Sequence, residues 1–453
     1  MSKMLLISGG HLIDPSQGLN KVGDLLVTED KISWIGDKGT APVKQGFSIL
    51  DASRMVVCPG FIDLHSHLRE PGFEDKETIA TGTQAAARGG FTTICCMANT
   101  EPPIDTRAVV DYVKTKARMA GLVRVLPIGC ITKRRRGEEL AEMAELAEAG
   151  VVAFSDDGDP VINSSLMRHA LEYSRVFSLP IIDHCEDKTL SQDGVISEGW
   201  VSTRLGLKGI PAASEEAMVA RDLALAQLTG AKLHIAHATT EGSVELIRHA
   251  KEKGVSVTAE VTPHHLTLTE ERVIGNQLTP KTYHLSATAY DANAKVNPPL
   301  RTKKDIAALI KGLKEGVIDA IATDHAPHTL ADKMCEFDLA AFGISGLETA
   351  FGCLMSLVHN GELDLVTLIS KLTFEPARIA RNKYEELGSL KIGSPADITL
   401  FDPDKEWIVD SNKFASKGKN TPFSGCQFKG KVMAAIASGK IVYQDNLIKV
   451  KGN

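Results

Sequence analysis

Val56-Val57-Cys58-Pro59-Gly60-Phe61-Ile62-Asp63-Leu64-His65-Ser66-His67 is an apolar run that closes on two histidines two residues apart. In an extended strand alternate side chains share a side, so His65 and His67 point the same way. An H-x-H pair alone is weak evidence for a metal site. Its meaning depends on the pattern of the later segments. Further strand candidates begin near Thr92, Arg124, Val151, Pro180, Lys232, Val255 and Asp319. Helix-period segments come after them, for example 78–88, 138–149, 215–228, 243–253 and 347–358. Gly89, Gly121, Gly150, Gly230 and Gly254 stand where a left-handed C-cap would close a helix. Strand-then-helix units imply a parallel sheet covered on both faces, and eight of them close a barrel. The fold class expected is α/β, a (β/α)8 TIM-like barrel.

Such barrels carry their active sites at the C-terminal ends of the strands. The fourth strand ends Phe154-Ser155-Asp156-Asp157-Gly158, the fifth Ile182-Asp183-His184, the sixth Ile235-Ala236-His237, and the eighth Ala322-Thr323-Asp324-His325. His or Asp thus stands at the ends of the first, fourth, fifth, sixth and eighth strands, which packing does not explain. Histidine and carboxylate without thiolate suit Zn²⁺ or a similar divalent ion. Four His and two Asp exceed one tetrahedral shell, but two metals sharing a carboxylate and a hydroxide would use them all. Strand alternation selects among neighbours. With Asp157 inward, Ala153 and Ser155 are inward too, and Phe154 and Asp156 face the helices. With His237 inward, His234 faces outward as a structural histidine, and His325 turns away from Asp324. His11, His169, His249, His284 and His359 lie outside the strand ends and read as surface or packing residues.

The rest of the chain bounds the reading. Its 453 residues are 43% apolar and 24% charged, ordinary for a globular protein with a sizeable core. A formal charge of −6 and no basic face argue against nucleic acid. Lys133-Arg134-Arg135-Arg136 sits beside an acidic helix and reads as a solvated loop, its alternative being an anion-attracting patch. No signal peptide and no membrane span are evident. Eight scattered Cys without C-x-x-C read as small buried hydrophobes, which fits a reducing cytoplasm. Both termini are strand-rich: 4–8, 24–27 and 31–35 at one end, 396–402 and 432–436 at the other, with Gly439-Lys440 resembling a hairpin turn. Neither end buries a core alone; together they form one small β domain. The organisation expected is 1–54 and 386–453 as that domain, around a barrel of 55–385.

Several stretches resemble the amidohydrolase superfamily, and within it the bacterial class I dihydroorotases. The most specific are His65-Ser66-His67-Leu68-Arg69-Glu70-Pro71-Gly72 and Asp324-His325-Ala326-Pro327-His328. Met97-Ala98-Asn99-Thr100, Asp183-His184-Cys185-Glu186, Val296-Asn297-Pro298-Pro299-Leu300-Arg301 and Phe342-Gly343-Ile344-Ser345-Gly346 support them. The resemblance runs nearly end to end. It implies a β-sandwich built from both termini, and two Zn²⁺ per subunit held by His65, His67, Asp157, His184, His237 and Asp324. Asp157 and a hydroxide would bridge them, in place of the carboxylated lysine of many relatives. It implies substrate contacts at His67, Leu68, Arg69, Asn99, Asn297 and His328, with backbone at Phe342 and Gly343. The stretch 236–239 reads Ala-His-Ala-Thr where relatives often show His-Val-Ser, which leaves His237 in place. The implied reaction is the reversible cyclisation of N-carbamoyl-L-aspartate to L-dihydroorotate in pyrimidine synthesis. A homo-oligomer is expected, and association with aspartate transcarbamoylase is left open.

In this reading Asp324 carries the proton between water and the leaving nitrogen, and Arg69 grips a substrate carboxylate with its planar fork. The plain alternative for Arg69 is a salt bridge to Glu70 or Glu74. Two rival functions remain. One is another cyclic-amide hydrolase on the same scaffold, an allantoinase or a dihydropyrimidinase or hydantoinase. The other is an inactive subunit supporting a transcarbamoylase.

Overall fold

The computed structural model describes residues 4–42, 46–275, 289–380, 387–448 and 450–452. Barrel strands Phe61–Ser66, Phe91–Cys96 and Arg124–Pro127 pair in parallel, as do Ile181–Asp183, Leu233–Ile235, Val257–Val261 and Ala320–Ile321. Phe154 joins the two groups, bridging Gly129 on one side and Ile181 on the other. Ser66 bridges His325 and so closes the eighth strand on the first. The buried carboxylate of Asp63 reinforces that seam, accepting from the Thr323 N–H at 2.8 Å and its hydroxyl at 2.6 Å. Every residue of the first two strands is buried, as a parallel sheet covered on both faces requires.

Two apolar layers sort the side chains. Ile62, Leu64, Cys95, Leu126, Ile128, Val152, Ile182, Ala236, Ala320 and Ala322 form the barrel interior. Phe61, Phe91, Val125, Phe154, Ile181, Ile235, Val257 and Ile321 pack outward with the helices. Phe154 meets Phe177 of the helix Ser164–Phe177, ring centroids 6.5 Å apart, as its alternation requires.

The terminal strands make one nine-stranded sheet. Ile398–Ile408 pairs with Val56–Pro59, which pairs with Met4–Asp14, so residues from both ends of the chain are neighbours. Leu5, Ile7, Leu25, Val57, Ile398, Leu400, Met433 and Ile436 bury one shared core there. Ser438 and Gly439, both with positive φ, turn the hairpin between Gln427–Ala437 and Lys440–Gln444.

Three expectations need correction. The first barrel strand begins at Phe61, not near Val56, because Val56–Pro59 belongs to the terminal sheet. Gly60 separates the two, and a Cβ there would lie 2.1 Å from the Thr92 hydroxyl. The helix expected over 138–149 is confined to Met143–Ala149, since Glu139 and Ala141 bond back to Lys133 and Ile131. Gly150, Gly230 and Gly254 are left-handed, whereas Gly89 and Gly121 are not. Gly89 stands where a Cβ would collide with the Leu347 carbonyl.

Phe154→Ala empties a fully buried site at the fourth strand and is expected to cost ~3–5 kcal/mol. Tyr173→Ala, on the exposed side of the same helix contact, is expected to cost about 1 kcal/mol or less. Urea unfolding of the two variants checks the contrast.

Candidate metal centre and active site

The structure brings His65, His67, Asp157, His184, His237 and Asp324 together at the C-terminal pole, all buried. Asp157 is the hub. Its Oδ2 lies 3.4 Å from His65 Nε2 and 3.6 Å from His67 Nε2. Its Oδ1 lies 3.4 Å from His237 Nε2 and 3.7 Å from His184 Nδ1. Asp324 Oδ1 is 3.1 Å from His67 Nε2 and 3.6 Å from His65 Nε2. Two triads, His65-His67-Asp324 and His65-Asp157-His237, each place three ligand atoms within 4.8 Å of one another. His65 Nε2 and Asp157 Oδ1 are buried without a hydrogen-bond partner. Orphaned buried polar atoms are costly, and here both are metal-ligand types converging on one point. The residues therefore fit a divalent metal. Burial disfavours the charged forms, but the facing charges outweigh it: the Asp157 and Asp324 carboxyls sit well below the usual carboxylate range.

Local backbone explains how the chain delivers these side chains. Between Asp63 and Ser66 the first strand spends three residues against two on its neighbour, Asp63 facing Ile94 and Ser66 facing Cys96. This bulge comes after the inward-facing Ile62 and Leu64 and re-aims His65 and His67 into the pole. Arg69, His237 and Asp324 have φ of 61°, 30° and 45°, uncommon for residues with a side chain. Such backbone persists where surroundings over-determine it, typically at functional sites.

The break at His237 overturns one alternation argument. Ile235 packs outward with the helices, so His234 faces into the barrel, not away from it. His234 bonds Thr258 at 2.8 Å through Nδ1, and its Nε2 lies 3.1 Å from Glu260. Glu260, in turn, takes His65 Nδ1 at 2.8 Å. Three of the imidazoles have one nitrogen held by an acceptor, leaving the other for the cluster. Glu260 holds His65, Asn99 Oδ1 holds His67 Nδ1 at 2.9 Å, and Glu186 holds His184 Nε2 at 3.0 Å. Partners of this kind fix tautomer and ring orientation in metal sites.

Asp156 turns the other way, accepting from the Ile131 and Thr132 N–H groups at 2.9 and 3.1 Å. Arg135 is no solvated residue. It donates to the carbonyls of Asp156 at 3.1 Å and Asp157 at 2.8 Å, and so pins the end of the fourth strand. Lys133 of the same basic run does face solvent, paired with Glu139 and Glu142. His325 turns from the pole toward Glu77. His169, His249 and His359 are exposed and His11 half-buried; His284 lies outside the described residues.

The expected substrate contacts divide. Arg69 is near the pole with its Nε on the Pro327 carbonyl. Glu70 is engaged by Lys116 and Glu74 by the Gly72 N–H, so neither is the partner of Arg69. His328 gives its Nε2 proton to the Phe342 carbonyl at 2.8 Å, so that nitrogen cannot accept from Arg69. Burial and the neighbouring Arg69 charge push His328 down to about 3, so it stays neutral. Asn297 lies 3.4 Å from His184 Nε2. Leu68 does not present its side chain: it is buried in the outer core, against Gly82. The Gly343 N–H is already bonded to the Lys295 carbonyl and its carbonyl to Asn420.

Sequence reasoning missed Glu186, Glu260 and Arg135, and said nothing of His264 and His265, which are buried after the seventh strand. The detectable signal was Glu260: a carboxylate within the strand Val257–Val261 needs a partner.

Comparison with solved structures places the architecture. An L-hydantoinase (dihydropyrimidinase) from Arthrobacter aurescens superposes with a TM-score of 0.85 at 24% identity, covering 100% of this chain and 98% of the other. A dihydropyrimidinase from Brevibacillus agri gives 0.83 at 22%, covering 99% and 96%. Residues 54–243 match the family described as dihydro-orotase-like. A dihydroorotase of Thermoanaerobacter sp. is 52% identical over 441 residues, 97% of each chain. One of Pelotomaculum thermopropionicum is 52% identical over 446 residues, 98% of this chain and 100% of the relative. Fold and site together define an amidohydrolase: a TIM barrel beside a terminal β-sandwich, with buried metal-binding His and Asp at the pole. Within that class the chain belongs to the dihydroorotases, hydrolases of a cyclic amide. Its likeness to hydantoinases is one of fold.

Metal analysis of dialysed protein tests the fourth-strand register. Asp157→Ala is expected to lower bound divalent metal per chain, while Asp156→Ala keeps the metal and loses thermal stability through the freed 131–132 backbone. Metal loss in Asp156→Ala with retention in Asp157→Ala would place the register one residue off.

Proposed function

We propose that this chain interconverts L-dihydroorotate and N-carbamoyl-L-aspartate, the ring-closing step of pyrimidine synthesis, with two zinc ions per subunit held by His65, His67, Asp157, His184, His237 and Asp324. The observation that carries the proposal is the convergence of these six buried ligand types on orphaned atoms, in a chain about half identical to dihydroorotases over its length. When bound, divalent metal supplies a Lewis acid for the ring carbonyl and lowers the pKa of water. Asp157, whose two oxygens face different histidines, would be the residue shared between the metals.

Asp324 stands beside His65 and His67 with its carboxyl ionised. It is suited to take a proton from attacking water and return it to the ring nitrogen as the C–N bond breaks. In the synthetic direction the same carboxyl takes the proton from the attacking ureido nitrogen and gives it to the departing hydroxyl, which leaves as water. Among the described residues no carboxylate forms an ion pair with Arg69. Taking a substrate carboxylate in its fork would relieve that desolvated charge. Asn99 has its oxygen committed to His67, so its amino group remains to donate. His328, locked to the Phe342 carbonyl, shapes the wall beside Arg69. Of Leu68, Phe342 and Gly343, backbone contacts are what the proposal retains.

No helix among the described residues is long and apolar enough to cross a membrane. A cytoplasmic location belongs to the same proposal, supported by six of the eight free cysteines being buried thiols, and a homo-oligomer is proposed with it. Association with aspartate transcarbamoylase is a question for co-purification.

Chelation is expected to abolish dihydroorotate hydrolysis and Zn²⁺ to restore it. Asp324→Asn, with its metal content measured on the same sample, is expected to lose kcat by at least ~100-fold. Full activity of exhaustively metal-free protein, or near wild-type kcat in that variant, would refute the mechanism.

Arg69→Lys replaces a fork by a point charge. KM for dihydroorotate is expected to rise about tenfold or more, a loss of ~1.4 kcal/mol, with uncharged hydantoin turnover much less affected. Equal losses on both substrates would mean that Arg69 does not read the carboxylate.

A further inference from the structure

We infer that Glu186 is a positioning residue that couples metal occupancy to substrate affinity, by holding with one carboxylate oxygen both the outer nitrogen of His184 and the side-chain amide of Asn297. The inference rests on His184 as a metal ligand and Asn297 as a substrate contact.

Glu186 is buried, and its Oε2 is a three-way acceptor. It lies 3.0 Å from His184 Nε2, 3.0 Å from Asn297 Nδ2 and 2.6 Å from Lys188 Nζ. Each contact does something different. A neutral imidazole carries one ring proton. Giving it to Glu186 from Nε2 leaves the Nδ1 lone pair facing the cluster, 3.0 Å from His237 Nε2 and 3.7 Å from Asp157 Oδ1. The Asn297 amide is ambiguous by itself, since its oxygen and nitrogen can exchange places. An acceptor at Glu186 fixes nitrogen toward the carboxylate and leaves the oxygen to receive a donor. Lys188, which is partly exposed, balances the buried charge.

The oxygen therefore joins two segments far apart in sequence, the end of the fifth strand and the loop at 297. Whatever orders one orders the other. Metal on Nδ1 strengthens the Nε2–H as a donor and fixes Glu186, and Glu186 then presents Asn297 in one orientation. By linkage, a ligand that uses Asn297 must tighten metal by the same factor. Gln at 186 does this poorly. Its oxygen can meet the same donors, but as a neutral acceptor it holds them more weakly than a carboxylate does.

The experiment measures zinc affinity by competition with a chromophoric chelator, with and without N-carbamoyl-L-aspartate. Wild type is expected to bind zinc more tightly with the ligand present. Glu186→Gln is expected to lose about 10- to 100-fold in zinc affinity and the share of the ligand effect that passes through Asn297. Glu186→Asp, which keeps a carboxylate, should recover part of both. Lys188→Met should keep the ligand effect. In KM, the losses from Glu186→Gln and Asn297→Ala should be non-additive in the double variant. Folded Glu186→Gln with wild-type zinc affinity and an intact ligand effect overturns the inference. So does weakened zinc binding with strictly additive KM losses, which would leave Glu186 as a support for His184 alone. Wild type that binds no zinc would instead defeat the metal reading on which both stand.

Discussion

The carboxylate of Asp157 sits in the dry pole of the barrel with four imidazoles between 3.4 and 3.7 Å of its oxygens. Removing so many polar groups from water is costly unless each finds a partner, and that constraint shapes much of the surrounding structure. The outward nitrogens of His65, His67 and His184 are taken by Glu260, Asn99 and Glu186, while that of His237 has no such partner. The backbone behind Asp157 is held by Arg135, and the backbone beside it by Asp156. Of the atoms left over, His65 Nε2 and Asp157 Oδ1 face the cluster and are ones a cation would satisfy. Structure and chemistry meet in this remainder: the protein supports its ligands from outside and leaves the inside incomplete.

Delivering the ligands required departures from regular strands. A bulge between Asp63 and Ser66 turns the first strand's histidines inward, and left-handed backbone at His237 re-aims the sixth, while Asp324 stays in phase with Ala320 and Ala322. A regular barrel would present alternate residues to a packed apolar interior, as Ile62, Leu64, Ala320 and Ala322 do one turn below. Arg69, His237 and Asp324, all with positive φ, lie at the boundary between that interior and the site, where their surroundings hold them.

The same barrel and terminal sheet recur in hydantoinases at little more than a fifth identity, so the scaffold does not choose the substrate. Discrimination falls to the few groups at the mouth. Among the described residues near the pole, Arg69 carries a charge of the sign that pairs with a carboxylate. It is flanked by a neutral His328 whose proton is already committed.

The sequence by itself determined the barrel, because alternation of apolar runs with helical periods leaves few other solutions. It also determined the ligand types, because His and Asp at one end of five strands have no packing explanation. Alternation chose Asp157 over Asp156, since Phe154 had to lie under the helices. The same argument failed at His234, because periodicity assumes an unbroken strand and the strand breaks at His237. It could not place Val56–Pro59, whose composition suits either sheet and whose partners, Met4–Asp14 on one side and Ile398–Ile408 on the other, come from the two ends of the chain. Nor could it show that Glu186, Glu260 and Arg135 support the centre. Those roles arise from contacts between segments distant in sequence, and only tertiary structure decides which donor meets which acceptor.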